Sequence, residues 1–412
     1  MASGSIARGW RGDGRRRTAA VAAIAMVLWT VSAVASAAPS PPCSTSGTWV
    51  DPATGAAVAH DDVIARHARG AVVLLGEDHH DARHHRWQLH TIAALHGRRP
   101  DIVLGFEMFP RDVQPTLDRW VAGELTPEAF LREAGWVEVW GIDADLYLPL
   151  FLFARQHRVP MVALNVDRAL IARVGRDGWS AVAAADRQGL SDPAPASEDY
   201  RRALAEVFAM KRRHGAAGAA AGADGSTDPA LLRFVEAQLT WDRAMAEAIA
   251  GARRSGGDPL VVGIVGRGHA EHRWGIPHQL AALGIADVAV LLPIAPGDDC
   301  AAMAPDVADA VFVVERGEDP DPSRPRLGVR VETTEAGVRI DAVVEGGIAA
   351  AAGIRAGDIV VAAAGYPVAR SGDLIEIVGR QAPGTWLPVT LRRDGATLEV
   401  VARFPRGGDA ER

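Results

Sequence analysis

The chain has 412 residues, of which 48% are apolar and 23% charged, and a formal net charge of −7. The length calls for more than one folding unit, and the apolar content supports a real core, which excludes an intrinsically disordered chain. The acidity excludes a dedicated nucleic-acid binder, and two cysteines are too few for a disulfide scaffold or a thiolate zinc centre.

Residues 1–37 read as a leader. Arg8, Arg11 and Arg15 to Arg17 form a basic start, Thr18 to Val34 an apolar stretch, and Ala35-Ser36-Ala37 a small-residue cleavage site. An uncleaved anchor is the alternative. No small-apolar box precedes Cys43, so a lipoprotein is disfavoured. Removing the leader would leave a net charge near −11. Export would place Cys43 and Cys300 in an oxidising compartment, where one disulfide and two unpaired thiols are both open. Beyond residue 40 no segment is long and apolar enough for a membrane helix, so membrane contact is expected to be peripheral only.

The next unit spans 38–315. Short apolar runs recur at Ala71–Leu75, Ile102–Phe106, Pro160–Leu164, Leu260–Val265 and Val288–Leu292, with helical patterns between them. This predicts an α/β domain with a mainly parallel sheet flanked by helices. A helical subdomain, about 112–255, is expected as an insertion. It contains helices over Tyr200–His214 and Leu231–Arg253, joined by an Ala/Gly-rich loop, Gly215–Gly225. Residues 316–325, with three prolines and alternating charges, read as a linker. From 326 to 404 there are short β-like runs, at Leu327–Glu332, Val338–Val343, Ile359–Ala363 and Leu387–Arg392, with one helical stretch at Asp373–Gly379. They predict a small, mostly-β domain.

Six of the thirteen histidines lie between His79 and His96, directly after the first apolar run. Asp81 is a suitable N-cap for a helix to about His96. Leu89, Ile92 and Leu95 define its buried stripe, and His84, His85 and Gln88 fall on or beside that stripe. Burying such groups without partners would cost roughly 1–3 kcal/mol each, so hydrogen bonds, a metal or a ligand must compensate. His60, His67, His96, His157 and His214 are expected at the surface. Asp242 is placed either towards the site or on a solvated helix face. Glu77, His79, Glu107, Asn165 and His269 all fall at carboxyl ends of predicted strands, the edge where parallel sheets bind ligands. The chain has no GxGxxG or P-loop after a strand and no GxSxG elbow, so nucleotide chemistry and an α/β-hydrolase serine are not supported.

The runs GEDHHDARHHRWQ (76–88), GFEMF with Gln114, WVAGELT, the segment from Trp140 to Tyr147-Leu148-Pro149-Leu150, VALN and GRGHAEHRWGIP follow one another over about residues 60–315. In this order they resemble the ChaN family of exported haem-binding proteins, which belongs with Tiki and TraB proteins and erythromycin esterases. The resemblance implies haem as cofactor and a role in haem or iron uptake, in the periplasm or cell envelope. Cofactor-binding candidates are His79, His80, His84, His85, Gln88, Tyr147, Asn165 and His269. Relatives in the superfamily imply a rival: a divalent-metal hydrolase of peptides or esters with Glu77, His79, Glu107 and His269 as catalytic residues and His79 and His269 as metal ligands. Histidines and carboxylates serve both readings, so haem and metal both stand. Known ChaN proteins are often lipoproteins, which this chain does not match.

The second domain resembles a bacterial PDZ domain. Arg326-Leu327-Gly328-Val329 matches the carboxylate-binding loop, AAAAGIRAGD (349–358) a characteristic turn, and Arg393-Asp394-Gly395 a late hairpin. This implies a C-terminal peptide or protein partner held by Leu327, Gly328, Val329 and Leu374. An internal docking module is the alternative, and a pure interaction protein without chemistry is a third overall reading. The oligomeric state, a homodimer included, stays open.

Overall fold

A computed structural model of the chain describes residues 45–215, 228–255, 257–295, 303–315 and 326–405. The leader, the linker, both cysteines and most of the Ala/Gly-rich loop lie outside the described residues.

The α/β domain begins with two short strands, β1 (Trp49–Val50) and β2 (Ala57–Val58), and helix α1 (His60–His67). Then come β3 (Val72–Glu77), α2 (Ala82–Arg98) and β4 (Ile102–Pro110). Four helices follow: α3 (Gln114–Ala122), α4 (Pro127–Glu133), α5 (Trp136–Val139) and α6 (Ala144–His157). Strand β5 (Met161–Asn165) leads into α7 (Arg168–Asp177), α8 (Glu198–Gly215) and α9 (Pro229–Arg254). The domain closes with β6 (Leu260–Gly266), α10 (Ile276–Ala282), β7 (Val288–Ile294) and β8 (Ala310–Val313).

Sheet order is β2-β1-β8-β7-β3-β6-β4-β5. From β8 to β5 the pairings are parallel, and β1 and β2 add an antiparallel edge. The five apolar runs are therefore strands. β1, β2 and β8 are too short to show a period in sequence. β3, β6 and β7 are buried along their whole length, because helices cover both sheet faces. Alternation sorts their side chains: Val73 and Leu75 join Ile92, Leu95 and Phe106 in one core, while Val72 and Leu74 join Met245, Ile249 and Leu280 in the other. Because β3, β6, β4 and β5 are consecutive neighbours, Glu77, Gly266, Glu107 and Asn165 arrive on one stretch of the carboxyl edge.

Helix α2 starts as its cap predicts, with the Asp81 carboxylate accepting from Arg83 N at 2.8 Å. Its buried stripe differs in detail. Trp87 and Thr91 are buried with His84, His85, Gln88, Ile92 and Leu95, whereas Leu89 is only half-buried. His67 is also not at the surface: it is 8% exposed at the end of α1.

The second sheet is wholly antiparallel. It is built from β9 (Val329–Thr334), β10 (Gly337–Val343), β11 (Ile359–Ala363), β12 (Tyr366–Pro367), β13 (Trp386–Arg393) and β14 (Ala396–Arg403), with β9 at an edge that no further strand pairs among the described residues. Two helices, α11 (Ile348–Ala351) and α12 (Ser371–Gly379), complete it. Leu327, Val338, Val360, Leu374 and Leu391 share its core. Buried Asp358 is clamped by both arms of Arg393 at 2.6 and 2.7 Å and accepts from Arg355 N at 2.7 Å. That closes the AGD turn against the late hairpin. Among the described residues, no helix is long and apolar enough to cross a membrane.

Candidate functional site

Glu77, the last residue of β3, is 2% exposed and surrounded by donors. Tyr147 on α6 donates its hydroxyl to Oε1 at 2.6 Å, and His79 Nδ1 lies 2.8 Å from the same oxygen. His85 Nδ1 faces Oε2 at 3.1 Å. Burial opposes the charge, but these hydrogen bonds and the His85 charge outweigh it and hold the carboxyl at about 2. Such a carboxylate binds a proton too weakly to act as general base near neutral pH. Its work is to orient two imidazoles.

His85 is committed at both nitrogens, since Nε2 bonds the His79 carbonyl at 3.1 Å. Burial lowers its pKa, yet the Glu77 hydrogen bond and charge raise it further, so the doubly protonated ring suits these partners. His84 has the opposite fate. Its Nδ1 accepts from Asp78 N at 3.0 Å, and burial outweighs Asp81 and Asp78 to lower its pKa, leaving a neutral ring that pins the turn after β3. Gln88 is fully buried and donates to the Leu75 carbonyl at 3.0 Å. His85 and Gln88 have no group left for iron, and His84 is 5% exposed, with its Nε2 facing Asp81 Oδ2 at 3.6 Å. His80 is exposed and makes no side-chain bond among the described residues.

His79 is different. With Nδ1 on Glu77 and a third of its side chain exposed, its Nε2 is uncommitted. A Cβ on Gly266 would sit 2.8 Å from His79 Cε1, 3.1 Å from Nε2 and 3.5 Å from Glu107 Oε2, so glycine is what admits the ring there. Gly266 N also donates to Glu107 Oε2 at 2.5 Å. Asn165 Nδ2 holds the Glu107 carbonyl at 3.0 Å.

The second imidazole comes from the turn after β6. His269 Nδ1 meets Asp242 Oδ1 at 2.6 Å, while its Nε2 faces Glu107 Oε1 at 3.7 Å, beyond hydrogen-bond reach. Tyr200 donates its hydroxyl to Asp242 Oδ2 at 2.8 Å. Burial opposes charge on His269, but Glu107 and Asp242 overcome it and push the pKa up to about 9. Asp242 is thus wholly buried and belongs to the site, not to a solvated helix face. The site therefore holds two imidazoles, each tied through Nδ1 to a buried carboxylate, on either side of Glu107.

A cavity of about 290 Å³ opens beside this pair, lined by Trp140, Trp241, Met108, Val166 and Asn165 among others. Trp140 packs edge-on against His79 at 4.8 Å and Trp241 tilts against His269 at 5.4 Å, so the two indoles join the cavity to the imidazoles. Both indole N–H groups are buried, that of Trp140 beside the Tyr147 hydroxyl. Sequence reasoning missed Trp241 and Tyr200 as site residues. Tyr147 reaches the site but is fully buried with its hydroxyl spent on Glu77, so in this arrangement it is not an open iron ligand. Among the described residues, no group of three or more His, Cys, Asp or Glu is arranged to hold a metal ion, and His79 and His269 come without a third ligand.

In the C-terminal domain, Leu327 and Leu374 are 3% and 2% exposed and form the floor between β9 and α12. Gly328 has a φ of +76°, which turns the chain into the half-buried Val329 at the start of β9. Ser371 N donates to Thr333 Oγ1 at 2.9 Å, tying the start of α12 to β9. Ile375 stands 64% exposed on α12.

Comparison with known proteins found no match among curated proteins. Among solved structures, the chain is similar to the ChaN of Campylobacter jejuni described for cofacial haem binding, with 18% identity, 65% of this chain and 96% of that chain covered, and a TM-score of 0.49. It is also similar to the HtrA3 PDZ domain bound to a phage-derived ligand, with 25% identity over 19% of this chain and 82% of that one, at a TM-score of 0.18. The HtrA-type protease AlgW with a decapeptide matches at 22% identity over 19% and 28% of the two chains, with a TM-score of 0.19. Residues 325–402 match the PDZ domain model. Residues 63–280, more than half of the chain, match the model described as haem-binding uptake, Tiki superfamily, ChaN, and the chain belongs to that family.

Proposed function

We propose that this protein is an exported haem-binding protein that serves haem or iron uptake from the periplasm or cell envelope. The observation that carries the reading is the pair of imidazoles, each held at Nδ1 by a buried carboxylate, behind two indoles that wall a cavity. Imidazole held this way is a good iron ligand, because the carboxylate sets the tautomer and raises the basicity of the other nitrogen. His79 Nε2 is the donor best placed to hold haem, which when bound would supply a redox-active iron centre. The apolar part of the lining, Met108, Val166, Trp140 and Trp241, fits a flat aromatic ligand. At about 290 Å³ the cavity is at the low end for small-molecule sites, so a ligand the size of haem would be only partly enclosed by it.

Hemin titration of the full chain, with elemental analysis of the same sample, tests this. A shifted Soret band saturating near one equivalent, lost in His79→Ala, is expected. No spectral change at stoichiometric hemin overturns it. The rival, metal-dependent peptide or ester hydrolysis, draws on the Asp242–His269 pair beside Glu107. It expects bound divalent metal and a hydrolytic activity that His269→Ala removes.

We also propose that the PDZ domain adds the C-terminus of a partner to the free edge of β9, beside α12. The open edge supports this, since main-chain groups there can pair with an added strand. In fluorescence polarisation, a ten-residue peptide ending in valine should bind the full chain, and amidating its carboxylate should weaken binding at least tenfold. Equal binding of acid and amide counts against carboxylate capture.

A further inference from the structure

The cavity beside the two imidazoles is lined by charged side chains as well as indoles. Asp112, Glu138, Asp167 and Arg168 all face it. Two of these are already engaged. Asp167 caps α7, accepting from Ala169 N at 2.8 Å, and Glu138 pairs with Arg370. The other two are not: the side chains of Arg168 and Asp112 have no hydrogen bond or ion pair among the described residues, and both are exposed at the cavity. An uncommitted guanidinium beside an aromatic wall is suited to a ligand with an apolar, planar body and a carboxylate at its edge. Its fork can take both carboxylate oxygens at once, and its charge need not be withdrawn from another partner. An uncommitted carboxylate in the same lining repels a second anionic group there.

We propose that Arg168 is the specificity-determining residue that receives a carboxylate of the ligand, with Asp112 opposing the reverse placement. This rests on the haem reading, for haem joins an apolar macrocycle to carboxylate side arms. Arg168 then fixes which edge of the ring enters between Trp140 and Trp241. Asp112 makes that choice sharper at some cost in affinity.

The test is spectrophotometric titration of the full chain with hemin and, separately, with hemin dimethyl ester, in which the carboxylates are masked. Wild type should bind hemin more tightly than the ester. Arg168→Gln should weaken hemin binding about five- to tenfold, the range of a partly exposed charged hydrogen bond, and leave ester binding within about twofold. Asp112→Asn should tighten hemin binding about two- to threefold. Thermal unfolding of each variant checks that the fold is retained. If wild type binds hemin and Arg168→Gln binds it equally well, or loses hemin and ester alike, the assignment of Arg168 is overturned while the haem reading survives. If wild type binds neither porphyrin, the haem reading fails and this inference with it.

Discussion

Glu77→Ala should be among the most damaging single changes in the α/β domain, with a loss of about 3–5 kcal/mol in stability and no hemin binding. The side chain is buried and accepts from Tyr147 and His79 while facing His85. Removing one partner of a buried charged network leaves the other groups uncompensated in a poor solvent, which costs about that much. Glu77→Gln keeps the shape and one acceptor, so its loss should be smaller, but it would remove the charge that raises the pKa of His79 and His85. The pH dependence gives the change a signature. A carboxyl held at about 2 contributes stability that is fully present above its ordinary value of 4.5 and is lost as pH falls towards 2. His79 and His85 have raised values, so their share is full below 6.5 and is lost as pH rises through the raised pKa. Differential scanning calorimetry of wild type between pH 3 and 6 should show the α/β transition fall with acid, and Glu77→Gln should flatten that slope. An unchanged slope would mean that Glu77 is not the group whose protonation weakens the fold.

The sheet's five longer strands were readable because they are short apolar runs separated by helical patterns, and four of them lead into a polar residue at the carboxyl end. The same fact made the carboxyl edge readable: Glu77, Glu107, Asn165 and the turn with His269 each follow such a run. What could not be read is the inner half of the site. Asp242 looked ambiguous because α9 has no free face there. Asp242, Arg243, Ala244, Met245 and Ala246 are all buried in succession, so no amphipathic period marks the side that meets His269. A signal did exist: Trp241-Asp242-Arg243 interrupts an otherwise Ala-rich helix with three large polar or aromatic residues. Tyr200, 42 positions before its partner, and the two indoles are tertiary facts that spacing cannot encode. His84, His85 and Gln88 were correctly placed on the inner face, but burial there turned out to be balanced by hydrogen bonds to the strand and turn rather than by a ligand.

Asp242→Asn should expose how much of the domain hangs on the second imidazole. Asp242 is fully buried, joins Tyr200 to His269, and is the nearer of the two carboxylates that keep His269 charged. Asparagine is isosteric, so the change removes charge more than volume, and a loss of about 3–5 kcal/mol is expected from a broken buried pair. The sign with pH runs opposite to that of Glu77. His269 is held at about 9, above its ordinary 6.5, so its contribution is full below 6.5 and is lost as pH rises through 9. Wild type should therefore lose stability in urea between pH 7 and pH 10, and His269→Gln should remove that dependence. Asp242→Asn leaves only Glu107 to support the charge, so the same loss should begin at lower pH. Histidine NMR gives an independent reading, since the His269 ring, held at about 9 in wild type, should titrate nearer neutrality in the variant. Unaltered stability and an unaltered His269 titration in Asp242→Asn would show that Glu107 alone holds the ring. His269 would then answer to the strand edge, and the connection through α9 to Tyr200 would be packing without electrostatic consequence.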